Sequence, residues 1–432
     1  MRLAPEWLKD AEVVRLVEAC AAGRVAIRFV GGAVRDTLLM REVGDIDAAT
    51  PVPAEQVMAA LRAQGLKVIP TGIAHGTVTV VVGERRFEIT TLRRDVETDG
   101  RHAKIAPTDS WEEDAARRDF TVNAIACDPF TREIIDPHSG QRDLESRVLR
   151  HTSAAFAEDP LRVLRGMQLA GRFEFTLAPE TAALCRTIAD TFSELPLERV
   201  WGEWEKWAAK SVTPSRGLTL LEESGWLRHF PELAALRGTP QEPAWHPEGD
   251  VFTHTQHCLD ALVALPTWPD ANLGRRRRLM FAVLAHDFGK PSTTRREEKH
   301  GALRWTSAGH EAAGGPLTQT FLWRIGALRE LEAPVTALVV NHLAHHHGQA
   351  TFSDASVRRL ARRLAPATIT ELAAVMRADS NGRPPLASPE THLRINALET
   401  TARALEFANL APKPVMFGRH LIAVVEYHTA AE

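Results

Sequence analysis

One stretch of this 432-residue chain, Phe29 to Thr50 (FVGGAVRDTLLMREVGDIDAAT), limits the possible folds more than any other. Its apolar, β-prone start predicts a strand that ends at the paired glycines Gly31 and Gly32, and residues 33–40 have helical spacing. Paired glycines let backbone N–H groups approach a phosphate closely, and the N-terminus of the following helix attracts anions. The stretch therefore predicts a strand–turn–helix unit that binds phosphate.

Two aspartates, Asp45 and Asp47, lie two residues apart near the end of the same stretch. On a strand, residues spaced in this way project to one face. Residues 86–92 (RFEITTL) alternate like another strand and place Glu88 at its middle. Acids gathered on one face repel one another, and a divalent cation relieves that repulsion. The pattern indicates a two-metal site for phosphoryl or nucleotidyl transfer, with these three acids as catalytic residues; an exposed strand glutamate is the alternative for Glu88.

A later motif carries side chains suited to a nucleotide. The spacing predicts one helix over Trp111 to Ala126 (WEEDAARRDFTVNAIA), with Arg118, Asp119 and Asn123 close together. Arginine matches triphosphate oxygens through its planar fork, and an aspartate accepts a hydrogen bond from a ribose hydroxyl. An ordinary surface helix is the alternative. The polar segment 95–110 before this motif predicts a loop.

The chain turns helical after Phe156, and Glu158-Asp159-Pro160-Leu161-Arg162 starts a helix with proline near its first turn. The acids and Arg162 lie about one turn apart and share a face. A salt bridge of a few tenths of a kcal/mol is one interpretation. The other is a pair of polar edges that select an incoming base, since a carboxylate accepts from a base amino group and an arginine donates to a base carbonyl. Arg165 in the same helix is counted with the nucleotide-binding residues.

The C-terminal half carries a second metal signature. Its members are His254, the pair His286-Asp287 at the end of an apolar helix, and Asp379. Such a mixed nitrogen and oxygen ligand set suits a divalent metal. His310 and His342 are further candidates, either as substrate contacts or as ligands of a second metal.

Composition excludes several classes of protein. The chain has a formal net charge of −3, 44% hydrophobic and 25% charged residues, and no apolar run near 18 residues, which argues against a membrane span. Its N-terminus lacks a signal-peptide core, and its four scattered cysteines suit a reducing cytosol, so we expect a cytoplasmic protein. The near-neutral net charge argues against a protein that is extensively covered by nucleic acid, but it does not argue against a local basic groove.

Four motifs of the chain carry a family resemblance: FVGGAVRD, GDIDAAT, RRDFTVNAIA and EDPLR. They resemble the motifs of bacterial class II tRNA nucleotidyltransferases, which are the CCA-adding enzymes and their poly(A) polymerase relatives. The resemblance implies that the GDIDAAT aspartates bind catalytic Mg²⁺, that Gly31, Gly32 and Arg35 hold the triphosphate, and that RRDFTVNAIA contacts ribose and phosphates. It also implies that EDPLR is an amino-acid template for CTP or ATP. Residues 95–104 resemble the family's flexible loop.

Residues 245–385 resemble an HD phosphohydrolase domain, as in the two-part CCA proteins of some bacteria. The resemblance implies that His254, His286, Asp287 and Asp379 bind a divalent metal (Mn²⁺, Ni²⁺, Co²⁺ or Mg²⁺), and it implies phosphatase and 2′,3′-cyclic phosphodiesterase activity. The implied domains are a head at 1–150, a helical neck and body at 151–240, the HD domain at 245–385 and a tail at 386–432. This tail departs from the family because it lacks a continuation rich in glycine and proline.

The expected fold is α+β, with a mixed-sheet, polymerase-β-like nucleotidyltransferase head followed by an all-α neck, body and HD domain. The expected activity is template-free addition of CMP, CMP and AMP to tRNA 3′ ends from CTP and ATP, by a monomer or homodimer. Alternatives within the family are an A-adding enzyme, a CC-adding enzyme and a poly(A) polymerase. A metal phosphohydrolase whose main activity resides in the HD half is the alternative of another class.

Overall fold

The computed structural model describes residues 2–3, 5–98, 103–299, 301–346, 352–385 and 388–409. Contacts divide the chain into two compact units. Unit 1 comprises Met1–Pro196 and Arg216–Trp226, and unit 2 comprises Leu197–Ser215 and Leu227–Glu432. Residues 386–387 and 410–432 of the predicted tail lie outside the described residues.

The strands, in chain order, are β1 (Arg28–Val30), β2 (Ile46–Thr50), β3 (Lys67–Gly72), β4 (Thr77–Val82), β5 (Arg85–Thr91), β6 (Arg93–Thr98), β7 (Ala103–Pro107), β8 (Ala126–Cys127), β9 (Ile134–Ile135), β10 (Val148–Leu149), β11 (Thr176–Leu177), β12 (Arg295–Lys299) and β13 (Ala302–Thr306). The helices are α1 (Ala11–Ala22), α2 (Gly32–Leu38), α3 (Ala54–Ala63), α4 (Trp111–Ala116), α5 (Gly140–Glu145), α6 (Leu161–Phe173), α7 (Pro179–Thr187), α8 (Leu197–Lys210), α9 (Pro214–Glu223), α10 (Pro231–Ala234), α11 (Val251–Val263), α12 (Leu273–Ala285), α13 (Lys290–Thr293), α14 (His310–Arg324), α15 (Glu332–Asn341), α16 (Asp354–Leu364), α17 (Ile369–Asn381) and α18 (Pro389–Ala404). Within the described part of the chain, no helix is long and apolar enough to cross a membrane.

Unit 1 is built on a seven-stranded mixed sheet with the strand order β3–β4–β5–β2–β1–β8–β9. β2 and β5 are parallel, whereas the other neighbouring strands are antiparallel. A parallel pair requires a crossover connection, which α3, β3 and β4 supply between β2 and β5. This sheet and the helices that follow confirm the predicted α+β fold.

The side-chain alternation of β5 determines which face of the sheet is polar. Phe87 and Ile89 are fully buried, while Glu88 between them is exposed. Burying an aliphatic or aromatic side chain contributes about 1.5–3 kcal/mol, so a one-residue slip of this strand would be strongly disfavoured. The buried side chains therefore fix Glu88 on the open face.

The predicted loop at 95–110 is wrong for residues 95–98 and 103–107, which belong to two strands. Residues of β6 and β7 pair as antiparallel neighbours, with a register shift between Asp95 and Glu97; residues 99–102 lie outside the described ranges. β6 (RRDVET) is mostly polar, and β7 (AKIAP) has five residues and ends in proline, so neither gives the long period-two apolar signal of a half-buried strand.

The predicted helix from Trp111 to Ala126 is also wrong beyond Ala116, where α4 ends. The Asp119 carboxylate accepts a hydrogen bond from the next backbone amide, that of Phe120. Such local side-chain bonds compete with helical hydrogen bonds. The chain then forms the 3₁₀ turn Thr121–Asn123 and enters β8.

Unit 2 is mainly helical, and the tryptophans of α8 form its core. Trp204 and Trp207 are fully buried, and Trp204 packs edge-to-face against Phe230 and Phe321. The expectation of an all-α neck, body and HD domain needs two corrections. β12 and β13 form an antiparallel hairpin in the HD region, and β11 of the neck pairs in parallel with β10.

Candidate active sites

The glycine turn of the opening stretch lies between β1 and α2 in unit 1. Gly31 has φ +69° and ψ −129°, a conformation that side-chain-bearing residues rarely adopt. A Cβ atom built on Gly31 would lie 3.6 Å from Nη1 of Arg118. The turn therefore places Arg118 next to backbone that carries no side chain at Gly31.

The predicted acids meet on the open face of the sheet. Asp47 of β2 is the direct partner of Glu88 on the parallel strand β5, and neighbouring strands lie ~4.8 Å apart. Asp45 is exposed and precedes β2. Burial against the surrounding protein raises the pKa of Asp47 to about 6, with Glu88 and Asp45 adding to the rise and Arg118 opposing it. This accumulation of unneutralised negative charge is what a divalent cation would stabilise.

A cavity of about 420 Å³ joins Asp47 and Glu88, but not Asp45, to residues from the later motifs. Its charged lining residues are Asp47, Glu88, Arg93, Asp114, Arg117, Arg118, Asp159 and Arg162. Acids of the sheet thus share one space with arginines and with the EDPLR segment. Arg118 and Asp159 follow Asp47 by about 70 and 110 residues along the chain. They still share one cavity with the acids, which lie on strands at the centre of the sheet.

Arginines form the positive part of this cavity. Arg118 donates to Asp114 at 3.0 Å, one helical turn earlier. Arg93 at the start of β6 lies among like charges, and its pKa is lowered, first by burial and then by Arg117. Arg93 was not among the residues predicted for this site. Its position two residues after the end of β5 is the signal that would have found it, since Glu88 lies on that strand.

Asp119 and Asn123 belong to a buried network. Asp119 accepts hydrogen bonds from the Phe120 amide at 2.7 Å and from Asn123 at 2.9 Å, and its other oxygen accepts from Arg165 at 3.0 Å. Burial alone would raise the pKa of Asp119, but Arg165 and these hydrogen bonds outweigh burial and hold the pKa below its usual value. Both carboxylate oxygens are thereby occupied, and Asp119 orients Asn123 and Arg165.

Arg35, expected at the triphosphate, is instead buried. It donates to Asp36 at 2.8 Å and to Asn123 at 2.6 Å, and its guanidinium lies 4.4 Å from the ring centre of Phe173. These contacts favour a supporting role in which Arg35 fixes Asn123 below the glycine turn.

The EDPLR segment presents Asp159 and Arg162, and not Glu158, to the cavity. Arg162 donates to the backbone carbonyls of Ala155 at 2.8 Å and Arg117 at 2.6 Å. These bonds commit two of the five N–H groups of the guanidinium and hold its plane in place. A fixed guanidinium edge next to a carboxylate can discriminate between hydrogen-bonding patterns of bases.

Helices α11, α12 and α17 of unit 2 bring the second predicted group of residues together. His254 Nε2 lies 3.2 Å from Asp379 Oδ1, and His286 Nε2 lies 3.2 Å from Asp287 Oδ2. Burial alone would raise the pKa of Asp287, yet His286 and Lys290 hold it well below its usual value. All four predicted metal-binding residues are buried at this point.

His310 and His342 extend the group on one side. Each ring has Nδ1 at 2.7 Å from a backbone carbonyl, that of Ser307 or Val339, which makes Nδ1–H the donor. The two Nε2 atoms then face each other at 3.3 Å with lone pairs, and Asp287 Oδ1 lies 3.3 Å from His310 Nε2. Such an arrangement is repulsive unless a cation or a proton lies between the lone pairs, so these residues fit a metal ion.

Among the described residues, three groups of possible ligand atoms lie within 4.8 Å of one another: His254, Cys258, His286 and Asp379; Asp287, His310 and His342; and His246, Glu248 and His254. A second cavity of about 420 Å³ opens above them and is lined by Trp245, Lys290, Trp305 and Arg383 among others. Cations and aromatic rings beside a candidate metal site suit a nucleotide-like phosphoester. Cys258 was not among the predicted ligands, although its spacing of four residues from His254 on a helix is a usable signal.

Comparisons with known proteins identify families and relatives that this chain resembles. Residues 27–150 match the family described as the poly(A) polymerase head domain, and residues 174–236 match the probable RNA and SrmB-binding site of polymerase A. The Multifunctional CCA protein of Xanthomonas campestris pv. campestris (strain B100) is 37% identical over 372 residues, which covers 83% of this chain and 85% of that relative. The Multifunctional CCA protein of Halorhodospira halophila (strain DSM 244 / SL1) is 44% identical over 275 residues, covering 61% and 62%.

Solved structures share the fold. The Bacillus stearothermophilus CCA-adding enzyme in complex with CTP aligns with a TM-score of 0.66 at 24% identity, covering 98% of this chain and 89% of that chain. A tRNA nucleotidyltransferase complexed with a primer tRNA and an incoming ATP analog aligns with a TM-score of 0.57 at 22% identity, covering 90% and 98%.

Proposed function

This chain belongs to the class II CCA-adding enzyme family, and we propose that it adds CMP and AMP from CTP and ATP to the 3′ ends of tRNA, completing the CCA end without a nucleic-acid template. One observation carries the proposal. The acids Asp47 and Glu88 and the base-selecting candidates Asp159 and Arg162 line one cavity in unit 1. Chemistry and nucleotide choice can therefore take place in the same space.

Asp45, Asp47 and Glu88 would hold Mg²⁺, which would lower the pKa of the tRNA 3′-hydroxyl and stabilise the charge on the α-phosphate and the departing pyrophosphate. The positive side of the cavity, formed by Arg118 with Arg93 and Arg117, balances the triphosphate charge. The backbone of the Gly31 turn leaves room beside Arg118 for phosphate oxygens.

Hydrogen-bonding patterns explain the proposed choice of nucleotide. Cytosine and adenine each present an amino donor next to a ring-nitrogen acceptor, which matches a carboxylate next to a guanidinium. Uracil and guanine present a carbonyl acceptor next to a ring N–H donor, which is the reverse of the pattern that Asp159 and Arg162 would recognise. A mismatched base typically costs about 1–3 kcal/mol of discrimination, so the pair would reject UTP and GTP.

The experiment uses tRNA transcripts that end at the discriminator base, in C, or in CC, with each NTP alone and with CTP plus ATP. Product length on a gel should show three added nucleotides on the first transcript only when CTP and ATP are both present. Addition of a single A, of CC only, or of a long A tail would assign the corresponding related activity instead. Asp47→Asn should abolish extension, and wild-type extension by that variant would contradict the assignment.

We further propose phosphoester hydrolysis, phosphatase or 2′,3′-cyclic phosphodiesterase, at the second site. The carrying observation is the convergence of His310 Nε2, His342 Nε2 and Asp287 Oδ1 below a cavity that also contains Lys290. The test incubates the protein with 2′,3′-cyclic AMP, with and without Mn²⁺, Ni²⁺, Co²⁺ or Mg²⁺. Hydrolysis should require a metal and be lost in His310→Ala; no turnover with any of the metals would contradict this second proposal.

A further inference from the structure

Helix α16 of unit 2 carries a continuous strip of positive charge. Its four arginines are Arg358, Arg359, Arg362 and Arg363, and its one acid is Asp354 in the first turn. At 3.6 residues per turn, these four arginines occupy neighbouring positions on one side of the helix, and all of them are exposed. We call this side the arginine face. The opposite side is buried and consists of Val357, Leu360, Ala361 and Leu364.

The charge of the arginine face is not neutralised by acids. Within the described ranges, Arg359 and Arg362 form neither an ion pair nor a hydrogen bond. The Arg358 guanidinium lies 5.4 Å from the ring centre of an aromatic residue, Phe407, and Arg363 donates to an amide oxygen at 3.2 Å. These two contacts hold side chains in place without cancelling their charge.

The spacing of the arginines adds repulsion. Arg358 and Arg362 lie four residues apart, and so do Arg359 and Arg363. Like charges at this spacing face each other on the helix surface and destabilise it. A polyanion that lies along the arginine face would remove this repulsion.

The other arginine run of unit 2 shows that consecutive arginines alone do not make a binding surface. Residues 275–278 of α12 are half-buried. Arg277 forms an ion pair with Glu205, and Arg278 forms one with Glu371. That run therefore packs helices together, whereas the arginine face of α16 is exposed and lacks acidic partners.

The packing of α16 indicates which polyanion fits. An amphipathic helix binds an anionic membrane by burying its apolar side among the lipids, but the apolar side of α16 is already buried within the protein. A nucleic-acid backbone needs only the charged side. The planar fork of a guanidinium matches two phosphate oxygens at once.

We propose that the arginine face of α16 binds the phosphate backbone of tRNA. The proposal rests on tRNA being the substrate, as proposed above. It adds an RNA contact outside residues 174–236, the segment that matches an RNA-binding family. Because phosphate contacts carry no base information, this surface contributes affinity and orientation and does not read sequence.

The test measures binding of a tRNA transcript that ends at the discriminator base, across a range of salt concentrations. The full-length variant carries Arg359→Gln together with Arg362→Gln. We expect its Kd at ~0.1 M salt to rise about 3- to 30-fold, as for the loss of two exposed charge pairs. The slope of log K against log salt should become shallower by about 2, because each phosphate contact contributes about 0.9.

Two further readouts separate binding from folding and chemistry. The KM for CTP and the kcat at saturating tRNA should stay unchanged, because the cavity of Asp47 is in unit 1. The Tm should change little, since relief of the repulsion in α16 is offset by loss of a favourable charge, Arg362, in the last turn.

The matched control is Arg329→Gln together with Arg403→Gln, which removes two exposed arginines of unit 2 outside α16. It should bind tRNA like the wild type. Equal weakening in the control, or a wild-type Kd and salt slope in the α16 variant, would overturn the proposal while tRNA extension by the wild type remains intact. Loss of binding to phosphatidylserine vesicles at an unchanged tRNA affinity would also overturn it. A wild type that does not bind tRNA would overturn this proposal and the proposed function together.

Discussion

At the residue scale, Asp47 is the group whose chemistry depends most on its neighbours. Burial, Glu88 and Asp45 together raise its pKa to about 6, and the unfolded chain has an aspartate pKa of about 3.9. A raised carboxyl pKa means that folding favours the protonated form. This contribution is fully present below pH 4, and it is lost as the pH rises through 6.

Asp47→Asn should therefore stabilise the metal-free protein at pH 7.5 and have little effect at pH 4. The amide mimics the protonated acid and removes the charge repulsion with Glu88. The measurement is Tm in chelator across this pH range, with Glu18→Gln, an exposed acid on α1, as the matched control. Mg²⁺ should then raise Tm of the wild type more than that of the variant. An equal Tm difference at both pH values would contradict the pKa assignment.

The sequence pattern predicted site positions for Gly31, Asp47 and Glu88, because the strand, turn and period-two signals that indicate them are local. The family resemblance placed Arg35 at the triphosphate, but its burial against Phe173 depends on a residue more than 130 positions away along the chain. Arg93 was missed for a related reason. Its position just after the strand of Glu88 is visible in the sequence, but its place beside Asp47 depends on the order of the strands in the sheet.

At the element scale, the 3₁₀ turn Thr121–Asn123 is held by α5. Thr121 Oγ1 donates to Asp143 of that helix at 2.7 Å, and a Cβ on Gly140 would overlap the carbonyl oxygen of Thr121. Close approach of the helix therefore requires glycine. The turn carries Asn123, which links Asp119 to Arg35.

Gly140→Ala should destabilise the protein by at least about 1–3 kcal/mol, the usual cost of overpacking a buried contact, and should weaken nucleotide binding because Asn123 moves. Gly202→Ala in α8 is the matched control, since a Cβ there meets nothing within 4 Å; it should be neutral or stabilising by up to about 1 kcal/mol. Urea denaturation and ATP binding measure both effects. Equal stability of the two variants would contradict the close-packing argument.

The helix and hairpin errors between 95 and 126 share a physical cause. Asp119 leaves the helix because its carboxylate bonds the next amide, and β6 pairs with β7 through backbone groups. The hydropathy pattern of the side chains predicts neither the end of the helix nor the pairing of the two strands. By contrast, the buried tryptophans of α8 recur every three residues, and this apolar periodicity is a local signal of a buried helix face.

At the scale of the whole molecule, the two candidate sites draw their residues from different units, Asp47 from unit 1 and His310 from unit 2. Asp47→Asn should abolish tRNA extension and keep metal-dependent hydrolysis of 2′,3′-cyclic AMP. His310→Ala should do the reverse. Loss of both activities in either variant, at an unchanged Tm, would contradict two separate sites.

The measurement that tests the central claim most directly is the ratio of kcat/KM for CTP over UTP on tRNA that lacks CCA. If Asp159 and Arg162 read the base in the cavity that holds Asp47, then Asp159→Ala and Arg162→Ala should each lower that ratio at least about 10-fold, since one matched pair discriminates by about 1–3 kcal/mol. Asp159→Ala removes no bond that Arg162 makes to Ala155 or Arg117, so it remains informative if Arg162→Ala is unstable. An unchanged ratio with a lower rate for both variants would contradict template-free selection by these residues.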